Sequence, residues 1–309
     1  MQALVWIAHA TRISDGRALL KATLTIPSNQ QADFLKLLTS SQLDILQRSA
    51  NEEHAIEAGR QSWSMRSASG RSAVPAYPSS REIELQGVIS TLASLRPTGS
   101  DITAIFQEIR EYYSGQLKSS NKAYASGSAV GDGKIARRNH NMNIVNRQHT
   151  AEVASGYRFF LPPLESGKDL FNRNVRSGNC WEMCHVSAYL TNRKFPAARV
   201  TRANLFVPGD HYLIIVGDIP KRGPISSWRN QVMSSSSSVI DIWMGISCDT
   251  KDYPDRAMQK LNKWGQDGKL ISTRSGWVIA NDARYVDVFF ASEVRYVDCV
   301  TNSQIQPSC

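Results

Sequence analysis

The residues best suited to chemistry lie in the run Ser177-Gly178-Asn179-Cys180-Trp181-Glu182-Met183-Cys184. Asn is favoured just before a helix, and a glutamate three residues on gives the pattern of a capping box. That reading sets Cys180 at the first helical position, with Gly178 supplying an unusual backbone angle ahead of it. A thiol there feels the positive end of the helix dipole and free backbone N–H groups, which favour the nucleophilic thiolate. Taken alone, Cys180 reads as readily as a small buried hydrophobe at a helix start. Cys184, one turn deeper among Val186, Ala188, Tyr189 and Leu190, reads as core.

A nucleophilic thiol needs a base, and the base needs an orienting group. Asp210-His211 opens the apolar run Tyr212-Leu213-Ile214-Ile215-Val216-Gly217, a buried strand with a histidine at its entrance. Val239-Ile240-Asp241-Ile242-Trp243 sets an acid inside a second apolar strand. Burying that carboxylate is costly unless it is paired, and His211 on a neighbouring strand would pair it and fix the tautomer. The plainer alternatives are a surface histidine at a strand end and an aspartate paired with an arginine.

The order Cys, His, Asp on these three motifs resembles the transglutaminase-like and papain-like cysteine hydrolases, closest to those of bacterial effectors and toxins. The likeness covers about residues 178–245, under a quarter of the chain. It departs at Cys184, where family members often carry a small residue. The resemblance implies Cys180 as nucleophile, His211 as general base and Asp241 as orienting acid. It also implies a helix packed on an antiparallel sheet that presents His211 and Asp241. The Cys180 amide is the natural first donor to an oxyanion. Papain-like enzymes add a side-chain amide a few residues upstream, which points to Asn174, with Asn172 and Asn179 as competitors. Loss of one such donor typically costs about 2.7–4 kcal/mol.

The reaction expected is hydrolysis of an amide through an acyl-enzyme thioester, favouring a thiol protease acting on a protein target. Glutamine or asparagine deamidation and transglutamination share the first half of that chemistry. A peptidoglycan amidase and a non-catalytic binding module are further alternatives. No cofactor or metal is expected: the five cysteines contain no CxxC pair, and Cys180, Cys184 and His185 lack a second ligand pair nearby. Cys299 and Cys309 could close a short loop, although the sparse count favours free thiols. Trp181 and Trp243 are candidates to wall the site, or to pack near it as core.

Around these motifs the chain reads as α+β. A helix is expected over 180–192 and another over 254–264, with strands at 199–207, 211–219, 239–245, 276–280 and 285–290. Ser234–Ser238 reads as a flexible turn. The N-terminal region, 1–117, reads as mainly helical after strand material ending at 22–26. One helical stretch begins after Pro27 and holds Phe34 to Leu46; a second covers 82–116, broken at Pro97 and restarting at Asp101 as N-cap. Ser62 to Ser80 reads as a loop. Residues 118–150, rich in Ser, Asn, Lys and Arg, read as a linker or loop and are the expected boundary, with a long surface excursion inside one domain as the alternative; 151–309 is then the catalytic domain and 1–117 serves delivery or target recognition.

The net charge of +9 does not gather. Residues 1–150 carry 17 Lys and Arg against 12 Asp and Glu, and residues 151–309 carry 19 against 15, so no nucleic-acid partner is expected. No apolar run is long enough for a membrane span. The first residues lack a basic n-region and a cleavage site, so no signal peptide is expected. An effector of this type would be made in the cytoplasm and delivered by a specialised secretion system. A cognate inhibitor protein could accompany it.

Overall fold

The computed structural model describes residues 15–38, 40–67, 78–113, 119, 121–125, 161–176, 178–196, 198–205, 210–231, 237–273 and 276–305. The chain divides into two units, Met1–Pro97 with Phe195–Ala198, and Thr98–Lys194 with Arg199–Cys309. The division falls at Pro97, whereas the boundary expected from composition is at 118–150.

The first unit is helical: α1 Gly16–Leu24, α2 Ser28–Leu35, α3 Ser40–Ser67 and α4 Ser80–Ser94. Asp15 caps α1 by accepting from the Arg17 amide at 2.9 Å. The expected strand material ending at 22–26 is thus helix up to Leu24. Leu19, Leu20 and Thr23 are buried at helical spacing, and the Thr23 hydroxyl donates to the Leu19 carbonyl, which lets a β-branched residue sit in the helix. Helix α3 continues to Ser67, into the expected loop at 62–80. Leu19, Phe34, Leu35, Leu46, Leu85 and Val88 belong to the core of this unit.

The second unit is α+β. It opens with α5 Gly99–Tyr112 and a short strand β1 Lys122–Tyr124, then α6 Pro163–Asn172 and α7 Cys180–Lys194. Strands β2 Val200–Leu205 and β3 His211–Gly217 follow, then a 3-10 turn over Ile225–Asn230, β4 Ser237–Asp241 and β5 Ile246–Asp249. A further 3-10 turn, Thr250–Asp252, leads into α8 Tyr253–Gln266, followed by β6 Lys269–Thr273 and β7 Gly276–Ile279. The chain continues with α9 Ala283–Ala291, β8 Val294–Asp298 and β9 Gln304–Ile305. One sheet has the order β5-β4-β3-β2-β8-β9, and its described pairings are all antiparallel; the other has the order β1-β6-β7.

The structure departs from four local expectations. Thr98, not Asp101, caps α5; Asp101 is the third helical residue and completes a capping box by accepting from the Thr98 amide at 2.9 Å. The expected strand at 285–290 lies within α9, begun by Asp282, whose carboxylate accepts from the Arg284 amide. The expected linker holds β1, which pairs with β6 in the register Lys122 to Ile271. Ser237 and Ser238, expected in a turn, are the first residues of β4.

Helix α7 packs across β2, β3 and β4, and α6 packs on α7. A Cβ on Gly167 would lie 2.0 Å from the His185 carbonyl oxygen, so only glycine allows α6 to approach α7 this closely. No described helix is long and apolar enough to cross a membrane.

Candidate active site

Cys180 is the first residue of α7 and is 6% exposed. The preceding Asn179 amide donates to Glu182 Oε2 at 2.7 Å, the backbone half of the capping box read from the sequence. Gly178 does not supply the unusual angle expected of it, since its φ is not among the positive ones. A Cβ there would lie 2.5 Å from the Glu182 Cβ, so glycine makes room for the capping glutamate.

His211 opens β3, and Asp241 ends β4. The two strands pair Ile214 with Ile240 and Ile215 with Val239. Continuing that register by one pair sets Leu213 opposite Asp241, so His211, two residues away along β3, shares the face of Asp241. His211 Nε2 and Asp241 Oδ2 are 2.8 Å apart, both residues almost fully buried. The carboxylate takes two more donors, the Met244 amide on Oδ1 at 2.9 Å and the Tyr253 hydroxyl on Oδ2 at 2.7 Å. These contacts and the positive charge of His211 outweigh burial, and hold Asp241 below the usual carboxylate range. An ionised Asp241 accepts only, so the proton between the pair is on Nε2.

Burial alone would disfavour a charged imidazole. The Asp241 carboxylate, by charge and hydrogen bond, and then Cys180, by the same two effects, lift His211 to about 10. With Nε2 committed to Asp241, the nitrogen that meets Cys180 is Nδ1. The indole of Trp243 lies 5.1 Å from the imidazole centroid and the Phe289 ring 5.6 Å, so aromatic surface fixes the ring plane and limits water around it. The Cys180 Sγ is also 3.9 Å from the carbonyl oxygen of Asp210. Asp210 has a φ of 35°, a left-handed conformation at the entrance to β3.

The structure therefore brings together Cys180, His211 and Asp241. It does not bring in Asn174, the upstream oxyanion candidate. Asn174 is exposed, with a φ of 57°, and its Oδ1 accepts from Arg176 Nε at 2.7 Å. Its amide donates to Phe171 and that of Val175 to Leu170, the two backbone bonds of a Schellman motif closing α6. A terminating role for a left-handed Asn explains its presence without an oxyanion.

Burial pushes Cys184 well above the ordinary thiol range, and pushes Cys248 and Cys299 up to about 12. All four described cysteines are free thiols; Cys309 lies outside the described residues. His185 Nε2 accepts from Arg202 at 2.9 Å, and the ring lies 3.9 Å from that of Trp181. Trp181 thus sits on His185, while Trp243 sits on His211. Among the described residues no group of three or more His, Cys, Asp or Glu side chains is arranged to hold a metal.

Tyr253 and Phe289 are the members of the site that sequence reasoning misses. Tyr253 opens α8 just beyond β5, and its only sequence signal is a polar aromatic followed by Pro254 at a helix start. Comparison of the chain with family models, with curated proteins and with solved structures finds no match.

Proposed function

We propose that the second unit is a cysteine hydrolase acting on a protein target, with Cys180 as nucleophile, His211 as acid and base, and Asp241 as orienting acid. The reading is carried by one observation: a buried histidine bound through Nε2 to an ionised aspartate and interacting with a thiol at a helix start. A helix packed on an antiparallel sheet that presents both polar partners supports a core of the papain-like or transglutaminase-like kind.

In this reading His211 takes the Cys180 thiol proton on Nδ1, and the imidazolium that results is held by Asp241. The sulfur attacks the amide carbonyl carbon, and the Cys180 backbone N–H, at the first position of α7, faces the developing oxyanion. The imidazolium passes its Nδ1 proton to the departing amine nitrogen as the carbon–nitrogen bond breaks, leaving a thioester. Neutral His211 then takes a proton from water as the oxygen attacks the thioester, and the acid and thiol are released. Asp241 stays ionised throughout and holds the imidazolium in place.

The test is incubation of a protein lysate with the full chain or with its Cys180→Ala variant, read by mass spectrometry. New peptide termini that appear with the native chain alone are the expected result. Conversion of side-chain amides to acids without new termini would make it a deamidase. Identical spectra from the two proteins, with Cys180 no more reactive than Cys248 to a thiol reagent, would remove the hydrolase reading.

A further inference from the structure

Ser119, Asn121 and Lys122 lie in the stretch whose composition reads as a linker. Yet Ser119 Oγ is 2.9 Å from Asn179 Oδ1 and 3.1 Å from Trp243 Nε1. Its one proton goes to a carboxamide oxygen, that of Asn179 or the nearer one of Asn121, while its lone pairs accept from the indole. Asn121 Oδ1 accepts from the same indole N–H at 2.8 Å. Buried Lys122 donates to the Trp243 carbonyl oxygen at 2.6 Å, and its ammonium lies 4.4 Å from the centroid of the Trp243 ring system.

The two ends of this cluster matter because of what adjoins them. Asn179 is bonded to Cys180, and Trp243 lies against the His211 ring two residues beyond Asp241. Cys180 comes from a helix and His211 from a strand, so their separation depends on how α7 sits at the end of the sheet. With its proton on Asn179, the Ser119 hydroxyl is bound at once to the residue before the nucleophile and to the indole against the base, and ties those two settings together. Misplacement by about 1 Å can cost on the order of 10²-fold in rate, so such a tie bears on the chemistry as well as on packing.

We propose that Ser119, assisted by Asn121 and Lys122, is a positioning residue that fixes the separation of Cys180 and His211 by joining Asn179 to Trp243. The inference rests on the hydrolase reading, and its test is built to fail separately from it. The probe is iodoacetamide on the full chain at neutral pH, with alkylation of Cys180 followed by peptide mapping.

Ser119→Ala is expected to slow Cys180 alkylation about ten- to a hundredfold, and Ser119→Thr, which keeps the hydroxyl, to restore the native rate. Trp243→Phe keeps an aromatic ring beside His211 but removes the indole N–H, and should slow alkylation as well; it carries the test if Ser119→Ala does not fold. Native rates in Ser119→Ala and Trp243→Phe would overturn the proposal, as would a Ser119→Thr protein as slow as Ser119→Ala. If the native chain itself alkylates no faster than a His211→Ala variant, the hydrolase reading falls first and takes this inference with it.

Discussion

The Tyr253 hydroxyl and the His211 imidazole donate to the same oxygen of Asp241, Oδ2, at 2.7 and 2.8 Å. The Met244 amide occupies the other oxygen, so three protein donors hold this carboxylate. An acid fixed in this way cannot swing, and the imidazole bound to it keeps one tautomer and a narrow range of orientations.

Tyr253→Phe should therefore act through His211. Removing a buried hydrogen bond to a charged group costs about 1.5–3 kcal/mol, which urea denaturation would register. The ring stays packed in place, so the fold is retained, while alkylation of Cys180 by iodoacetamide slows. An unchanged unfolding midpoint and an unchanged alkylation rate would show that the hydroxyl adds nothing to the pair.

Substitutions at the three site residues should differ in severity. Cys180→Ala removes the nucleophile with little loss of volume and should abolish hydrolysis with the fold intact. His211→Ala should lose about 10²–10⁴-fold from absent acid–base catalysis. Asp241→Asn should be milder at the chemical step but should lower stability, since its carboxamide offers a single acceptor oxygen where the carboxylate has two. Cys184→Ala is the comparison, with activity kept and only a packing penalty. Inactivation by Cys184→Ala with a neutral Cys180→Ala would reverse the assignment of the nucleophile.

How far the site could be read from sequence follows from the kind of signal each residue gives. Asp241 was legible because an acid flanked by Val239, Ile240 and Ile242 must find a partner, and alternation along two strands limits which one. Tyr253 was not legible, since nothing in a sequence says where a phenol at a helix start will aim. Composition gave no sign that Ser119, Asn121 and Lys122, at the head of a Ser- and Lys-rich stretch, would carry β1 and bond to Asn179 or Trp243. β-Branched and aromatic residues misled at 22–26 and 285–290, where an N-cap aspartate and helical burial outweigh strand propensity.

The pH dependence of stability should carry the mark of His211. Its folded pKa of about 10 lies above the ordinary value of 6.5, so the folded chain holds a proton that the unfolded chain has lost between those values. Stability contributed this way is complete below about 6.5 and is lost as the pH rises through about 10. Urea midpoints of the native chain should thus fall more steeply over that interval than those of His211→Gln. Parallel curves for the two proteins would mean that His211 is neutral in the folded state.

Asn174 should behave as a helix terminator. Asn174→Ala forces a β-carbon into left-handed backbone without the local bonding of Asn and should cost about 1–2 kcal/mol. Asn174→Gly should be neutral or slightly stabilising, with hydrolysis unaffected in both. A fall in the maximal rate of Asn174→Gly at unchanged stability would return the residue to an oxyanion role.

The last prediction concerns where the chain can be cut. Ile102, Ile105, Phe106 and Ile109 form the buried face of α5, which packs on α7, β4 and β5. Tyr112 adds a hydrogen bond to the Val175 carbonyl at 3.0 Å and stacks on Phe171 at 5.1 Å. Burial of four such apolar side chains at about 1.5–3 kcal/mol each amounts to roughly 6–12 kcal/mol. That is comparable with the whole stability of a typical domain, about 5–15 kcal/mol. A chain of residues 151–309 loses this face, and with β1 it also loses the strand that pairs with β6. It should be insoluble or lack a cooperative urea transition, whereas residues 98–309 should unfold cooperatively and keep a reactive Cys180. A soluble, cooperatively folded 151–309 chain would show that α5 and β1 are dispensable, and would move the domain boundary back to the basic segment.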